Sequence, residues 1–368
     1  MRLRRVLGVS MTTYNDANSV PEPTYNLPVA SLRFVATAEE AMTLPAYLGS
    51  ALRGAFGHAL KEVGCFYRER GAPCEGCVEN REAVAAGRPT RCVYGYLFET
   101  PHPPGPMSHG GQREVAHPYV IRPVGDGAGG ASGRDGRGKD ETRLTPAGAP
   151  VVFEVQLFGR GIDHVGLVVE AGVRMARRGL GVGRWTAEVR ELWEHQPFGT
   201  ERRALPFQLD RSALILVAGW DEAVARARTL ASGAAALHYL TPTRLVRDGY
   251  DMRVPTFPVL VRALLRRLTA LAQAHGGEAP AAHFAALARQ AEGVRLVSWD
   301  GEWRDWDRYS TRQERRITHG GLVGVAVYEG ELEPFLPYLV YGQAVHVGKL
   351  CTFGAGRYRI VGGGLPDE

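Results

Sequence analysis

The sequence predicts an α+β protein made of two β-α-β-β-α-β units, the ferredoxin-like arrangement, with a cysteine-rich insertion in the first. Three observations lead there. Short alternating apolar runs and longer helical-period runs interleave along both halves. Each half has a strand, a glycine, a helix, the pattern G-x-G-R-aromatic and a closing strand. Gly181, Gly183, Arg184 and Trp185 in the first half match Gly354, Gly356, Arg357 and Tyr358 in the second. The 368 residues with 45% apolar and 23% charged content suit two folded domains.

The elements follow in order. Residues 1–26 read as a poorly ordered tail. "PVASLRFVA" from Pro28 alternates as a strand, and "LPAYLGSALRGAFGHALKEV" is a helix, with Pro45 near its first turn. Residues 65–92 form the cysteine insertion, and "YGYLFET" reads as a strand. The 124–141 stretch is rich in glycine and charge and almost free of apolar residues, the composition of a disordered loop. "PVVFEVQLFG" is a strand, "IDHVGLVVEAGVRMARRGLG" a helix ending in glycine, and "GRWTAEVREL" a strand. The first domain is placed at 27–204 and the second at 205–368. In the second, "ALHYLTPTRLV" reads as a strand broken at Pro242, and "TFPVLVRALLRRLTALAQA" as an amphipathic helix. "GGLVGVAVYEG" is a strand, "ELEPFLPYLVYGQAVHV" a helix and "GRYRIV" the last strand.

Net charge is +5 and the pI about 9.0, a bias toward polyanions carried by arginine, whose planar fork suits phosphate. No apolar run is long enough to span a bilayer, and the basic N-terminus lacks the apolar stretch of a secretory signal, so a cytoplasmic protein is expected. Five cysteines, an odd number and mostly clustered, argue against a disulfide framework. Cys65, Cys74, Cys77 and Cys92 follow C-x8-C-x2-C-x14-C. Two readings stand: a structural Zn²⁺ held by four thiolates, which would staple an insertion lacking its own core, or reduced thiols including a redox pair. The stretch "SWDGEWRDWDRYSTRQERR" interleaves aromatics and arginines, the pattern that stacks bases and holds phosphates. Its tryptophans are equally suited to a core and its aspartates to pairing the arginines. Arg308 and Arg312 are its RNA-binding candidates, and Arg244 in "TPTRL" is a third.

Several pieces then carry a resemblance. "LRGAFGHAL", the cysteines followed by "YGYLFE", "FEVQLFG" with "GLGVGRW" after it, "LTPTRL", "WDRYSTRQ", "GGLVG" and "HVGKLCTFGAGRYRI" occur in an order that resembles the CRISPR-associated repeat-processing endoribonucleases of the RAMP superfamily, the Cas family numbered six. The resemblance implies two RRM-type domains, binding of CRISPR repeat RNA or crRNA, and other Cas proteins of an effector complex as partners. It implies cleavage that needs no metal: the 2′-OH attacks the adjacent phosphate and leaves a 2′,3′-cyclic phosphate and a 5′-OH. It also implies that the last glycine-rich loop contacts the RNA backbone, which assigns that role to Gly348, Lys349, Gly354, Gly356 and Arg357. The alternative for this loop is a tight helix-to-strand turn without a ligand.

Such relatives carry a catalytic histidine on or near the first helix, where His58 lies. By spacing, Tyr47, Gly54, His58 and Lys61 share one helix face, with Gly54 leaving room for a substrate backbone. His346, beside the presumed phosphate loop, is the competing candidate; a third possibility is that neither acts. Competing functions are a non-catalytic crRNA-binding subunit and a zinc-stabilised interaction protein.

Overall fold

The structure is a computed structural model that describes residues 25–45, 47–65, 74, 77–86, 90–100, 116–125, 142–181, 183–209, 215–276, 284–310 and 315–361. Residues 1–24, Arg312 and 126–141, which includes most of the expected disordered loop, lie outside the described residues.

In the first half, β1 (Val29–Ala38) is followed by a short strand β2 (Met42–Pro45) and helix α1 (Gly49–Gly64). Pro45 therefore ends a strand instead of opening the helix. Leu52, Phe56, Ala59 and Leu60 bury one side of α1, at the spacing read from the sequence. Helix α2 (Val78–Ala85) lies between Cys77 and Cys92. Next come β3 (Tyr119–Pro123), β4 (Thr142–Thr145), β5 (Pro150–Phe158), α3 (Val165–Arg178), β6 (Ala187–His195) and β7 (Arg202–Ala204). The sheet runs β3-β5-β1-β6-β7, with its pairs antiparallel. Leu32, Phe34, Ala36 and Ala38 of β1 point into one core with α1 and α3. Gly172 lets α3 approach that sheet; a β-carbon there would stand 2.5 Å from the Phe34 ring. α3 stops at Gly179, whose φ of 100° is open to glycine.

In the second half, α4 (Trp220–Ala227) leads to β8 (Ala234–Thr243), the two-residue strands β9 (Val246–Arg247) and β10 (Tyr250–Asp251), α5 (Phe257–Leu271) and α6 (Phe284–Gln290). Strands β11 (Arg295–Ser310) and β12 (Arg315–Glu329), helix α7 (Leu336–Val345) and β13 (Tyr358–Ile360) complete it. The sheet order is β11-β12-β8-β13. Taking β3, β5, β1 and β6 as the four main strands of the first half, both sheets have the spatial order second, third, first, fourth, so the chain is an α+β fold with two like-ordered sheets. α7 is apolar nearly all round because it is enclosed on nearly all sides.

Two further sequence expectations need correction, and one stretch left unassigned gains a structure. "YGYLFE" is a single π-helical turn over Gly95–Glu99, and the second strand of the first unit is Tyr119–Pro123. The alternating aromatics suggested a strand, but Tyr96 and Leu97 are neighbours that are both buried, which a turn of helix permits. β8 continues through Pro242; of its neighbours, β12 pairs on to Thr243 and β13 only as far as Tyr239. The aromatic–arginine stretch forms one long hairpin, β11 with β12, of which only Leu322–Glu329 pairs with β8. Its outer part extends beyond the sheet.

The two halves are joined by a shared interior. Tyr25, Leu27, Val29, Val120, Phe158 and Phe198 belong to the same apolar cluster as α5 and α7. The expected tail thus gives way to packed structure at Tyr25, whose ring lies 5.2 Å from Trp220. No helix among the described residues is long and apolar enough to cross a membrane.

Candidate nucleic-acid interface and active site

The outer strip of α1 is open. Gly54 and His58 are exposed and Lys61 half-exposed, on consecutive turns of one face. Nothing lies within 4 Å of where a Gly54 β-carbon would stand, so a substrate backbone has access there. The Lys61 ammonium stands 5.8 Å from the Tyr94 ring centroid. Tyr47 does not share this strip. It precedes the helix and is 8% exposed. Its hydroxyl donates to the Phe353 carbonyl at 2.7 Å, and its ring packs 4.8 Å from Trp306. Burial pushes its phenol well above the ordinary range.

Tyr47 belongs to a joint between the halves that the sequence reading missed. Gly49 at the start of α1 lies directly against the Phe353 carbonyl. The Arg53 guanidinium stands 4.4 Å from the Phe98 ring and 4.6 Å from the Phe353 ring. Tyr47, Trp306 and Phe353 close a small cluster of their own, which binds the outer hairpin to the first domain. The helix carrying His58 is thereby seated on the C-terminal glycine-rich loop.

In that loop the last two glycines turn inward. Gly354 and Gly356 are buried, and their amides are used inside the protein. Gly354 N–H donates to Cys351 at 2.8 Å, Gly356 N–H to Pro242 at 3.1 Å, and Arg357 N–H to the Thr241 hydroxyl at 2.9 Å. The Lys349 amide donates to the Arg244 carbonyl at 3.1 Å. The glycines serve close approach and positive φ: a β-carbon at Gly354 would meet Arg122 of β3 at 2.8 Å, and one at Gly356 the Val347 carbonyl at 1.9 Å. What this region offers to solvent is side-chain charge. Lys349 is exposed and Arg357 half-exposed, at φ-positive Gly348 and at β13 respectively. Arg244 is ion-paired with Asp251 at 2.7 Å and seats the loop through its backbone. The side chain of Arg308, in β11, lies outside the described residues.

The first-half copy of the turn differs. A β-carbon at Gly183 would overlap the Trp185 indole, and Gly179 abuts the Arg184 carbonyl, so this copy is packed on itself.

His346 is fully buried, with φ of 62°. Its Nδ1–H donates to the Ala355 carbonyl at 2.9 Å, while Nε2 has no hydrogen-bond partner among the described residues. Burial, aided by Arg122, holds it well below the ordinary histidine range and therefore neutral. It braces the loop and does not meet solvent. His275, also buried, links the domains: Tyr96 O–H donates to its Nδ1 at 2.8 Å and its Nε2–H to the Ala116 carbonyl at 2.6 Å. On the face of the first sheet away from α1 and α3, buried Glu154 accepts from both Arg33, at 2.6 Å, and buried Arg122.

In the long hairpin, Trp306 is buried, whereas Trp299 and Trp303 are half-buried. Asp305 accepts from the Trp303 indole at 2.7 Å, and Arg253 stacks 4.0 Å over that ring. Cys65, Cys74, Cys77, Cys92 and Cys351 are all thiols. Among the described residues no three histidine, cysteine or carboxylate side chains already stand arranged to hold a metal.

Residues 27–209 match the AF_1859_N family model, an N-terminal domain, and residues 237–358 match the model described as CRISPR-associated endoribonuclease Cas6. A Cas6 product complex superposes with a TM-score of 0.53 at 12% identity, over 91% of this chain and 100% of that one. Thermus thermophilus Cas6 gives 0.50 at 12% identity, over 91% and 99%. A partial Cas6-RT-Cas1–Cas2 complex gives 0.50 at 13% identity, over 91% of this chain and 46% of that one. No curated protein matches. At these identities the superpositions establish the shared fold. The family match covers the second sheet and the loop that closes it, so residues 237–358 belong to the Cas6 family of CRISPR-associated endoribonucleases, and the chain as a whole shares the fold of solved Cas6 proteins.

Proposed function

We propose that this protein binds CRISPR repeat RNA and cleaves it into guide units without a catalytic metal. The carrying observation is the open strip Gly54, His58, Lys61 on a helix whose N-terminal end is pinned, through Tyr47 and Gly49, to the basic C-terminal loop. In this reading the two β-α-β-β-α-β units are tandem ferredoxin-like domains of 27–204 and 205–368, with the cysteine insertion in the first. RNA lies along α1 and is anchored by Lys349 and Arg357, with Gly348 giving the loop its turn. His58 takes the proton of the 2′-OH as that oxygen attacks phosphorus, or returns one to the departing 5′-oxygen; the P–O5′ bond breaks as the cyclic phosphate forms. Lys61 stabilises the added charge on the phosphoryl oxygens. His346 and Tyr47 hold the loop and do not transfer protons. Solved Cas6 proteins have been captured in a product complex and in a Cas6-RT-Cas1–Cas2 complex, which supports repeat RNA and other Cas proteins as partners here.

The test is cleavage of a labelled repeat RNA in EDTA, with end-group analysis. Wild type gives 2′,3′-cyclic phosphate and 5′-OH ends. His58→Ala lowers the single-turnover rate by about a hundredfold or more and leaves RNA affinity within a few-fold, the usual scale for losing a general acid or base. Unchanged turnover in His58→Ala rejects the assignment. Tight RNA binding with no product from wild type marks a crRNA-binding subunit instead.

A further inference from the structure

The cysteine insertion takes no part in the chemistry above, and the fold sets Cys65, Cys74 and Cys92 at one apolar cluster without yet bringing three of the described cysteines into a ligand set. Cys65 ends α1, its N–H donating to the Lys61 carbonyl at 3.2 Å. The residue before it, Gly64, abuts the chain that returns from the insertion: a β-carbon there would stand 3.3 Å from the Tyr94 amide and 3.4 Å from Val93. Cys92 leads into that returning chain, with its Sγ 3.7 Å from the Gly64 carbonyl. The Gly95 amide donates to the same sulfur at 3.4 Å, the kind of N–H to sulfur contact that steadies a thiolate ligand. The C-x-x-C pair forms a tight turn in which the Cys77 N–H donates to the Cys74 carbonyl at 3.2 Å. Cys77 directly precedes α2, and Glu79 in the first turn of α2 accepts from the Arg91 amide at 2.7 Å. That bond brings the Cys77 end of α2 back beside Cys92. Cys65 and Cys74 pack against the apolar cluster that contains Cys92.

The described part of the segment buries few side chains. Of its described residues from 65 to 92, only Ala83, Thr90 and Cys92 are buried. For the little that the described residues bury, a metal bound to side chains distant in sequence would add folding energy.

We propose that Cys65, Cys74, Cys77 and Cys92 bind one structural Zn²⁺ that fastens the 65–92 insertion to the end of α1. Binding releases the thiol protons to solvent, and the Cys74–Cys77 turn closes on Cys65 and Cys92 to bring all four sulfurs to about 2.3 Å from the ion. Thiolates select Zn²⁺ over hard divalent cations, and four protein ligands leave no position for a water, so the ion takes no part in RNA cleavage. Cys351, buried beneath the C-terminal loop with its Sγ 3.4 Å from the Gly348 carbonyl, is excluded from the set.

The experiment is elemental analysis of the full chain, expressed with zinc in the medium and purified without chelator. Wild type carries about one Zn²⁺ per chain, and Cys74→Ser/Cys77→Ser at least tenfold less. Because losing both ligands can unfold the insertion, Co²⁺ is also titrated into metal-stripped wild type. Saturation at one equivalent, with the thiolate charge-transfer and tetrahedral d–d absorption, supports the site. Wild type that takes up neither ion, a double variant that keeps its metal, or a Cys74–Cys77 disulfide in the isolated protein overturns it. None of these readouts depends on RNA cleavage.

Discussion

Replacing His275 by glutamine removes a proton-binding group from the seam between the domains, and the structure sets the size of the effect. His275 follows α5 and is 1% exposed. It accepts from Tyr96 and donates to Ala116, both in the first domain, so the folded state holds it as the neutral Nε2–H tautomer. Desolvation is the main cause that pulls it from its ordinary 6.5 to about 4, with Arg160 and Arg267 acting in the same direction. The unfolded chain therefore takes up this proton at pH 6.5, whereas the folded protein resists until about pH 4. Stability from His275 is complete above that upper value, declines as pH falls and levels off below the lower one. At about 1.4 kcal/mol per pH unit, the whole span is worth about 3 kcal/mol, of which about 2 is lost by pH 5. Urea unfolding of wild type and His275→Gln at pH 8 and pH 5 measures it. The wild type should lose about 2 kcal/mol more than the variant over that interval. Equal losses would refute the argument, because they would mean the imidazole is hydrated or already charged in the folded state.

Other consequences follow from the same contacts. Tyr47→Phe removes the hydroxyl that reaches the Phe353 carbonyl and should cost about 1 kcal/mol in chemical denaturation, with the Trp306 contact retained. Gly356→Ala places a methyl on the Val347 carbonyl in a φ-positive turn, and should lower stability by more than about 2 kcal/mol, read as a fall in Tm. Glu154→Gln leaves Arg33 and buried Arg122 without their shared carboxylate and should destabilise by about 3 kcal/mol, whereas an exposed pair such as Arg295–Glu329 should be nearly silent. Lys349→Ala should weaken RNA binding at low salt and flatten its salt dependence by about one counterion, measured as the slope of log affinity against log salt.

Much of the architecture was legible along the chain. The alternation in Val29–Ala38 and Pro150–Phe158, and the helical spacing in α1, α3 and α5, are local patterns set by one buried face. So was the like order of the two sheets, each of which ends its third main strand at φ-positive Gly159 or Gly330. The second strand of the first unit was misplaced because "YGYLFE" and "YVIRP" are both short and apolar, and only pairing to β5 distinguishes them. His58 was found through its helix. Arg53 and Phe353, which seat that helix on the C-terminal loop, carried no pattern of their own.

The sequence by itself determined the periodic elements, their order, the repeat and the clustering of cysteines, since each depends on residues within a few turns of one another. Only the tertiary structure decided that the final glycine amides face inward, that His346 is sealed while His58 is open, and that Tyr47 faces the second domain. Those outcomes depend on which distant carbonyl satisfies each donor and which surface excludes water, and neither is encoded by neighbours in the chain.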